Sequence, residues 1–144
     1  MTDKFTYPVA AHLLLIEEGK ILMQRRYNTG YQDGNYSVPA GHVEQGETPR
    51  EGCAREMREE IGINITPVDL TVVHVMHRRT EKDERVDFFL TPSSYTGEIK
   101  NKEPDKCDDL QFFPVDELPE NTIEYIRAAV ANYRNGIFYA EFGW

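Results

Sequence analysis

Apolar residues along this chain fall into short runs separated by polar segments, and the period of each run predicts its structure. Residues 8–16 and 20–26 are apolar runs of strand length joined by the turn sequence EEGK, which predicts a β-hairpin. Residues 69–79 and 85–91 form a second predicted pair of strands around the charged turn TEKDE. A fifth strand is predicted at residues 110–115, after a long polar stretch.

Residues 49–61 instead carry their apolar side chains at helical spacing. Thr48 is the predicted N-cap, Glu51 is its predicted capping-box partner, and Gly62 stands where a left-handed residue would end the helix. At 100° per residue the apolar side chains occupy a single arc. That arc, predicted to face the core, consists of Cys53, Ala54, Met57 and Ile61.

A second helix is predicted at residues 122–134, beginning at Asn121 and stopping at Gly136. Strands outnumber helices, and hairpins are mixed with crossovers. This pattern predicts the α+β class, specifically an α/β/α sandwich in which a central mixed β-sheet is packed between helices. No repeat or linker divides the 144 residues, so a single domain over residues 1–144 is predicted.

Three carboxylates, those of Glu56, Glu59 and Glu60, share a second arc of the first helix, and Gly52 falls beside them and is expected to leave space there. Like charges three or four residues apart repel by roughly 0.2–0.5 kcal/mol per pair. Two interpretations fit the charge pattern. The arc is either a solvated acidic face softened by neighbouring arginines, or a site for Mg²⁺, which takes oxygen ligands and bridges carboxylates to phosphates.

Composition narrows the choice of partner. The net charge is −9, with 25 acidic against 16 basic residues, which disfavours a nucleic-acid polymer or an anionic membrane. A small anionic substrate stays compatible if a metal supplies positive charge. Cys53 and Cys107 lack metal-site spacing and are expected to be reduced thiols. The apolar run near the N-terminus is too short to span a bilayer and has no signal-peptide features, so a cytoplasmic location is expected.

The segment GHVEQGETPREGCAREMREEIGI, residues 41–63 and called the box below, resembles the signature of the Nudix hydrolases. That signature is Gly, five residues, Glu, seven residues, Arg-Glu, an aliphatic residue, any residue, Glu-Glu, any residue, Gly and an aliphatic residue. The surrounding order of strands and helix is similar to the family domain, in a MutT-like form. Every fixed position is filled here, by Gly41, Glu47, Arg55, Glu56, Met57, Glu59, Glu60, Gly62 and Ile63.

The resemblance implies hydrolysis of a pyrophosphate bond in a nucleoside diphosphate linked to another group, with Mg²⁺ as cofactor and Mn²⁺ as its substitute. It implies that Glu56, Glu59 and Glu60 are metal ligands, joined by the backbone carbonyl of Gly41. Either Glu59 or Glu60 could instead orient or deprotonate water, and the sequence does not choose between them. Both therefore stand as catalytic candidates as well as ligands.

Other site residues follow from the same resemblance. Arg55 is expected to hold a glutamate by a charge-assisted hydrogen bond. Glu47 belongs either to the turn into the helix or to the surroundings of the ligands. Asp109, at the end of the polar loop, stands where many family members place an acidic residue that reaches the metal or the attacking water. His74 and His77 are three apart on a strand, so we expect them on opposite faces rather than as a metal pair.

Substrate contacts are predicted near the loop of residues 27–35. Arg25 and Arg26 end the second strand beside this loop. Either one of them contacts a phosphate of the substrate, or both are ordinary surface residues. Tyr36 stands where the family usually has Trp, and Ala40 where it usually has Gly, a departure that concerns packing or substrate fit more than chemistry. Tyr36 and His42 are the remaining substrate-binding candidates. The alternative for Tyr36 is a packing role in the wall of the site, and the alternative for His42 is an ordinary position in a turn.

The sequence therefore predicts a Mg²⁺-dependent Nudix pyrophosphohydrolase whose substrate is a nucleoside triphosphate, including oxidised forms. The alternative within the class is a nucleotide sugar, a dinucleoside polyphosphate or another NDP-linked metabolite. A regulatory nucleotide-binding module without catalysis and an acidic interaction domain are less favoured, because the box carboxylates are all present. A homodimer is an assembly state that the sequence leaves open.

Overall fold

The computed structural model describes residues 3–144. Residues 49–61 and 124–134 form the two α-helices of this part of the chain, and none of its helices is long and apolar enough to cross a membrane. The elements in chain order are β1 (Val9–Leu13), β2 (Ile16–Glu17), β3 (Lys20–Arg26), β4 (Tyr36–Ser37), β5 (Ala40–His42), α1 (Pro49–Ile61), a 3₁₀ turn (Pro67–Asp69), β6 (Leu70–Arg79), β7 (Glu84–Pro92), β8 (Cys107–Pro114), α2 (Glu124–Arg134) and β9 (Tyr139–Phe142).

The strands form two sheets. The larger is mixed, in the order β5–β1–β7–β6–β9, with β1 parallel to β7 and β6 parallel to β9. In the smaller, antiparallel sheet, β3 pairs with β2 and β4 and also with β8. The run predicted as one strand at residues 8–16 is thus divided, because the chain leaves the larger sheet after Leu13 and enters the smaller one at Ile16.

The two helices pack on opposite sides of the sheets. Successive strand residues point to opposite faces, so adjacent side chains of one strand enter different cores. Leu13 and Leu90 pack with Met57 of α1, whereas Phe89 packs with Ile126 of α2. The predicted sandwich of a mixed sheet between helices is confirmed.

Helix α1 has the predicted ends. The Thr48 hydroxyl accepts a hydrogen bond from the Glu51 N–H at 3.1 Å, and the Glu51 carboxylate accepts one from the Thr48 N–H at 2.9 Å. Gly62 ends the helix in the left-handed region, with φ of 75°. The predicted apolar arc is buried, with Cys53 and Met57 fully inaccessible.

Helix α2 begins later than predicted. Ile123 is its N-cap and provides no side-chain hydrogen bond, while Asn121 donates its side-chain amide to the Gly34 carbonyl at 2.7 Å. The prediction that Asn121 begins the helix was therefore wrong. Its amide is used to join the chain before α2 to the loop of residues 27–35.

Candidate active site

Arg55 joins the glutamates of α1. Its Nη1 donates to Glu56 Oε1 at 2.8 Å and to Glu59 Oε2 at 3.2 Å, while its Nη2 donates to the His42 carbonyl at 3.0 Å. Its Nε donates to Glu47 Oε2 at 2.7 Å and its Nη2 donates to Glu47 Oε1 at 3.1 Å. This bidentate bond raises the pKa of Arg55 further above its ordinary value. The positive charge of Arg55 therefore offsets part of the repulsion expected between Glu56 and Glu59.

Glu47 is part of the turn before α1 and also contacts Arg55. It accepts from Arg55, which lowers the pKa of Glu47, and its Oε1 also accepts from the Glu44 N–H at 2.9 Å in the turn before α1. A Cβ added to Gly52 would lie 3.2 Å from Glu47 Oε1. Gly52 therefore accommodates this turn, and the expectation that it leaves open space beside the carboxylates was wrong.

The three carboxylates of the predicted metal arc occupy different environments. Glu59 has a side chain 53% exposed and is turned to Arg55. Glu60 is partly buried, and its Oε2 is inaccessible and has no hydrogen-bond partner. Burial raises the pKa of Glu60 well above its ordinary value, and the charges of Glu56 and Glu103 raise it further. Burial likewise raises the pKa of Glu56, against the opposing effect of Arg55.

Glu103 is the site residue that sequence reasoning missed. Its charge raises the pKa of both Glu56 and Glu60. The loop that carries it is tied to the end of α1, because the Lys102 N–H donates to the Glu60 carbonyl and the Lys100 N–H to the Ile61 carbonyl, each at 2.9 Å. These bonds satisfy carbonyls that a helix end leaves unpaired. No motif in the polar stretch distinguishes Glu103 from its acidic neighbours.

Asp109 is not placed with these carboxylates. It lies within β8 rather than in a loop before a strand, so that part of the prediction was wrong. Leu110 and Phe112 of β8 pack on the α1 side, so Asp109 faces the opposite side of the sheet. There it accepts hydrogen bonds from the Tyr36 hydroxyl and from Gln111. Burial raises the pKa of Asp109, but these two bonds and the charge of Arg25 together outweigh it, so the net shift of the pKa is downward.

Gly41 lies directly against Glu56. A Cβ at Gly41 would overlap the Cγ and Cδ atoms of the Glu56 side chain. Strand β5, which contains Gly41, is held in place by antiparallel pairing with β1. The glycine at the start of the box is therefore required for the close approach of backbone and carboxylate.

Three of the predicted substrate-binding residues are neighbours, because Arg25 stands opposite Tyr36 in the smaller sheet and Arg26 follows it, whereas His42 is on β5 of the larger sheet. Arg25 forms an exposed ion pair with Asp108 at 2.7 Å, and Arg26 donates to the Tyr31 carbonyl at 2.6 Å. Tyr36 is 7% exposed and packs edge-on against Phe113, as expected of a wall residue, and burial raises its pKa to about 12.

His42 is exposed at the end of β5. His74 is fully buried and His77 is half-buried, and they stand on opposite faces of β6 as predicted.

A cleft of about 520 Å³ opens at the start of α2. Its lining includes Tyr31, Asn121 and the nearly buried Arg78, whose Nε donates to Asp87 at 2.6 Å. The Arg78 guanidinium lies 3.6 Å from the centre of the Tyr125 ring. The volume is within the range of small-molecule sites.

Glu56, Glu59 and Glu60 do not line the cleft, but Arg26 is close enough to act electrostatically on both regions. The positive charge of Arg26 acts on Glu60 and on Tyr125, in each case opposing the burial that raises the pKa. Its guanidinium also lies over the ring of Tyr31, 5.2 Å from the ring centre.

The carboxylates of Glu56, Glu59 and Glu60 have the chemistry of ligands for a hard divalent cation. Among residues 3–144, no group of three or more His, Cys, Asp or Glu side chains is already arranged to hold a metal ion. The unpaired buried oxygen of Glu60, beside Glu56 and Glu103, is nevertheless a group that a cation would satisfy. The all-oxygen set is the chemistry that Mg²⁺ prefers.

The chain belongs to the Nudix family, because the family model described as the NUDIX domain matches residues 6–133. It is accordingly a hydrolase of the MutT-like type, as the resemblance implied. Members of this family generally depend on a divalent metal and act on small nucleotides.

Similar proteins agree with this assignment. The 8-oxo-dGTP diphosphatase of Escherichia coli is 33% identical over 113 residues, which are 77% of this chain and 86% of that protein. The ADP-ribose pyrophosphatase of Methanocaldococcus jannaschii is 27% identical over 117 residues, 81% of this chain and 68% of that protein. The crystal structure of a MutT NUDIX hydrolase from Burkholderia pseudomallei matches with a TM-score of 0.80 at 24% identity, covering 88% of this chain and 98% of that one. The predicted family and fold are confirmed.

Proposed function

We propose that this protein, as a single domain over residues 1–144, is a Mg²⁺-dependent pyrophosphohydrolase of nucleoside triphosphates, including oxidised ones, with Mn²⁺ as an alternative cofactor. The observation that carries the metal site is the buried, unpaired Oε2 of Glu60, next to Glu56 and Glu103. The substrate class is supported by the 33% identity to an 8-oxo-dGTP diphosphatase over most of both chains.

The Gly41 carbonyl, Glu56, Glu59 and Glu60 would hold the ion, with Glu103 added from the loop. Bound there, a divalent cation would neutralise the phosphates and acidify water. The chain's own contribution is positional. Arg55 keeps one oxygen of Glu56 engaged at 2.8 Å, which leaves the other available for a ligand.

The structure favours different roles for the two adjacent glutamates. Glu60 is grouped with Glu56 and Glu103 and is poorly solvated, as befits a metal ligand. Glu59 is more exposed and reaches solvent, so we assign to it the orientation of water in addition to its contact with the ion. We assign to Glu103 the role that the sequence predicted for Asp109, because Glu103 is the loop carboxylate near the cluster.

We place the nucleoside in the cleft beside α2 and the phosphates between the cleft and the glutamates. Arg26, whose charge acts on both Glu60 and the cleft residue Tyr125, is our candidate for the phosphate contact. Arg25 and His42 are exposed and remain accessory candidates, whereas Tyr36 supports the site through packing rather than by direct contact.

A substrate panel tests the proposal. Nucleoside triphosphates, 8-oxo-dGTP, ADP-ribose and nucleotide sugars would be incubated with the protein in EDTA, Mg²⁺ or Mn²⁺, and the products identified. We expect pyrophosphate and a nucleoside monophosphate from the triphosphates, with no turnover in EDTA. Hydrolysis of ADP-ribose or a nucleotide sugar alone would overturn the substrate class.

Two variants of the same helix separate catalysis from folding. Glu60→Gln should weaken Mg²⁺ binding in a direct titration and should abolish most turnover. Glu51→Gln is the matched control, because glutamine can keep the capping hydrogen bond to Thr48. Metal affinity unchanged in Glu60→Gln would remove the metal site, and metal binding without turnover of any substrate would favour a regulatory module.

A further inference from the structure

Strand β9 is an edge with little protection. It pairs with β6 on one side, and no other strand of residues 3–144 pairs with its outer side. Proteins usually blunt such edges with charges, prolines or covering elements. Residues 137–144, IFYAEFGW, contain a single charged side chain and no proline.

The same region concentrates exposed apolar surface. Nine large apolar side chains are exposed among residues 3–144, and four of them are within residues 137–144. A row of ring contacts, from Phe5 to Tyr7 to His77 to Trp144, adds two more exposed rings at this end of the sheet. An apolar group of this kind beside an open edge indicates an interaction surface.

The pairing with β6 decides which backbone groups of β9 point outward. The Val75 N–H donates to the Phe138 carbonyl at 2.8 Å, and Val75 stands opposite Tyr139 in the ladder. Backbone groups alternate in direction along a strand. Ala140 therefore directs its N–H and C=O to β6, whereas Tyr139 and Glu141 direct theirs away from the sheet.

This outer edge is complementary to itself. If two copies of β9 pair antiparallel about a two-fold axis at Ala140, Tyr139 of each copy lies opposite Glu141 of the other. All four outward N–H groups then meet outward carbonyls. The side chains also match, because within one chain the Tyr139 hydroxyl already donates to the Glu141 carboxylate at 2.9 Å, and across the pair each hydroxyl would face the same acceptor.

We propose that β9 is a homodimerisation edge, through which a second copy of this chain extends the five-stranded sheet into a continuous ten-stranded one. Four residues form a short interface, and stable interfaces bury roughly 1,200 Å² or more. Ile137, Phe138 and Trp144 therefore have to contribute area, and the dimer is expected to be concentration-dependent. Each copy carries a net charge of −9, so added salt should strengthen the association.

Sedimentation equilibrium over a wide dilution series tests the dimer. Glu141→Pro removes an outward N–H that the protomer's own ladder does not use, so this variant should remain monomeric with an unchanged melting temperature. Glu141→Lys should also be monomeric, because it removes the acceptor for the Tyr139 hydroxyl and places a lysine on the edge. Glu98→Lys makes the same charge change at an exposed position away from β9 and should dimerise as the wild type does.

Amide hydrogen exchange of the wild-type protein provides a readout that needs no variant. The Tyr139 and Glu141 amides should be protected at high protein concentration and should exchange freely on dilution, whereas the Ala140 amide should be protected at both. A wild-type protein that stays monomeric at high concentration and high salt would overturn the proposal. So would a dimer that persists in Glu141→Pro, or one in which the two outward amides exchange freely.

Discussion

The backbone of Gly41 lies so close to the carboxylate of Glu56 that even a methyl group at position 41 would overlap that side chain. One residue is on strand β5 and the other on helix α1, so the contact joins the start of the box to its helix. It explains a fixed glycine in a strand, where glycine is otherwise disfavoured. It also makes the position of Glu56 depend on a residue that carries no functional group.

Gly41→Ala is expected to lower kcat at least tenfold, a change of about 1.4 kcal/mol in the barrier. The added methyl group displaces the end of the flexible Glu56 side chain, so the melting temperature in EDTA should change little. Initial rates at saturating Mg²⁺ measure the effect.

Glu56→Gln is the reference for a double-mutant cycle. If Gly41 acts through Glu56, adding Gly41→Ala to Glu56→Gln should cost much less than it costs in the wild type. Fully additive losses would show that Gly41 acts independently of this carboxylate.

Glu103→Gln and Asp109→Asn should have opposite effects. Glu103→Gln removes a charge that repels Glu56 and Glu60, so metal-free stability should hold or rise while kcat falls at least about tenfold, or roughly 1.4 kcal/mol. Asp109→Asn removes the anionic acceptor for the Tyr36 hydroxyl, so it should lower stability while turnover per folded molecule stays normal. Thermal melts in EDTA and initial rates in Mg²⁺ separate the two quantities. The reverse pattern would return the catalytic role to Asp109.

Arg55→Lys should be costly although it keeps the charge. A lysine cannot reproduce the two bonds to Glu47 together with the bonds to Glu56 and the His42 carbonyl. We expect a loss of about 1–3 kcal/mol in unfolding free energy together with reduced kcat. Arg58→Lys, at an exposed position of the same helix, should change stability by no more than about 0.5 kcal/mol. Equal effects of the two substitutions in urea unfolding would contradict the role of Arg55.

His12 should make stability depend on pH. It is 1% exposed, and its Nε2 lies 3.1 Å from the Tyr125 hydroxyl oxygen. Burial lowers the pKa of His12 below 6.5. The charge of Asp87 opposes this shift, and the charge of Arg78 adds to it. The unfolded chain gains a proton on His12 as the pH falls through 6.5, whereas the folded chain does not. The stability contribution is therefore complete above this pH and is lost below it.

His12→Gln should accordingly flatten the fall in melting temperature between about pH 7 and pH 5, the range in which an ordinary histidine titrates. The same substitution at exposed His42 is the control and should leave the slope unchanged. A slope that is equally steep without His12 would mean that other groups carry the acid sensitivity.

The sequence by itself determined helix α1 and the residues of the family signature. Its ends depend on Thr48, Glu51 and Gly62, which act within a few residues of one another. The separation of its apolar and acidic arcs follows from helical periodicity alone. Interactions of such short range are encoded locally, so they were predictable before the fold was known. The spacing of the box likewise identified the family.

Tertiary structure decided which carboxylates meet. Glu103 comes near Glu60 only because its loop pairs with the last carbonyls of α1, and Asp109 is turned away because of its place in the alternation of β8. The division of the first predicted strand between two sheets, the later start of α2 and the addition of β9 were also not predicted. Each depends on contacts between residues distant in sequence. The energy of such contacts comes from packing and from hydrogen bonds to partners that a local pattern does not contain. The sequence therefore placed the glutamates on a helix but could not place the loop that carries Glu103 next to them.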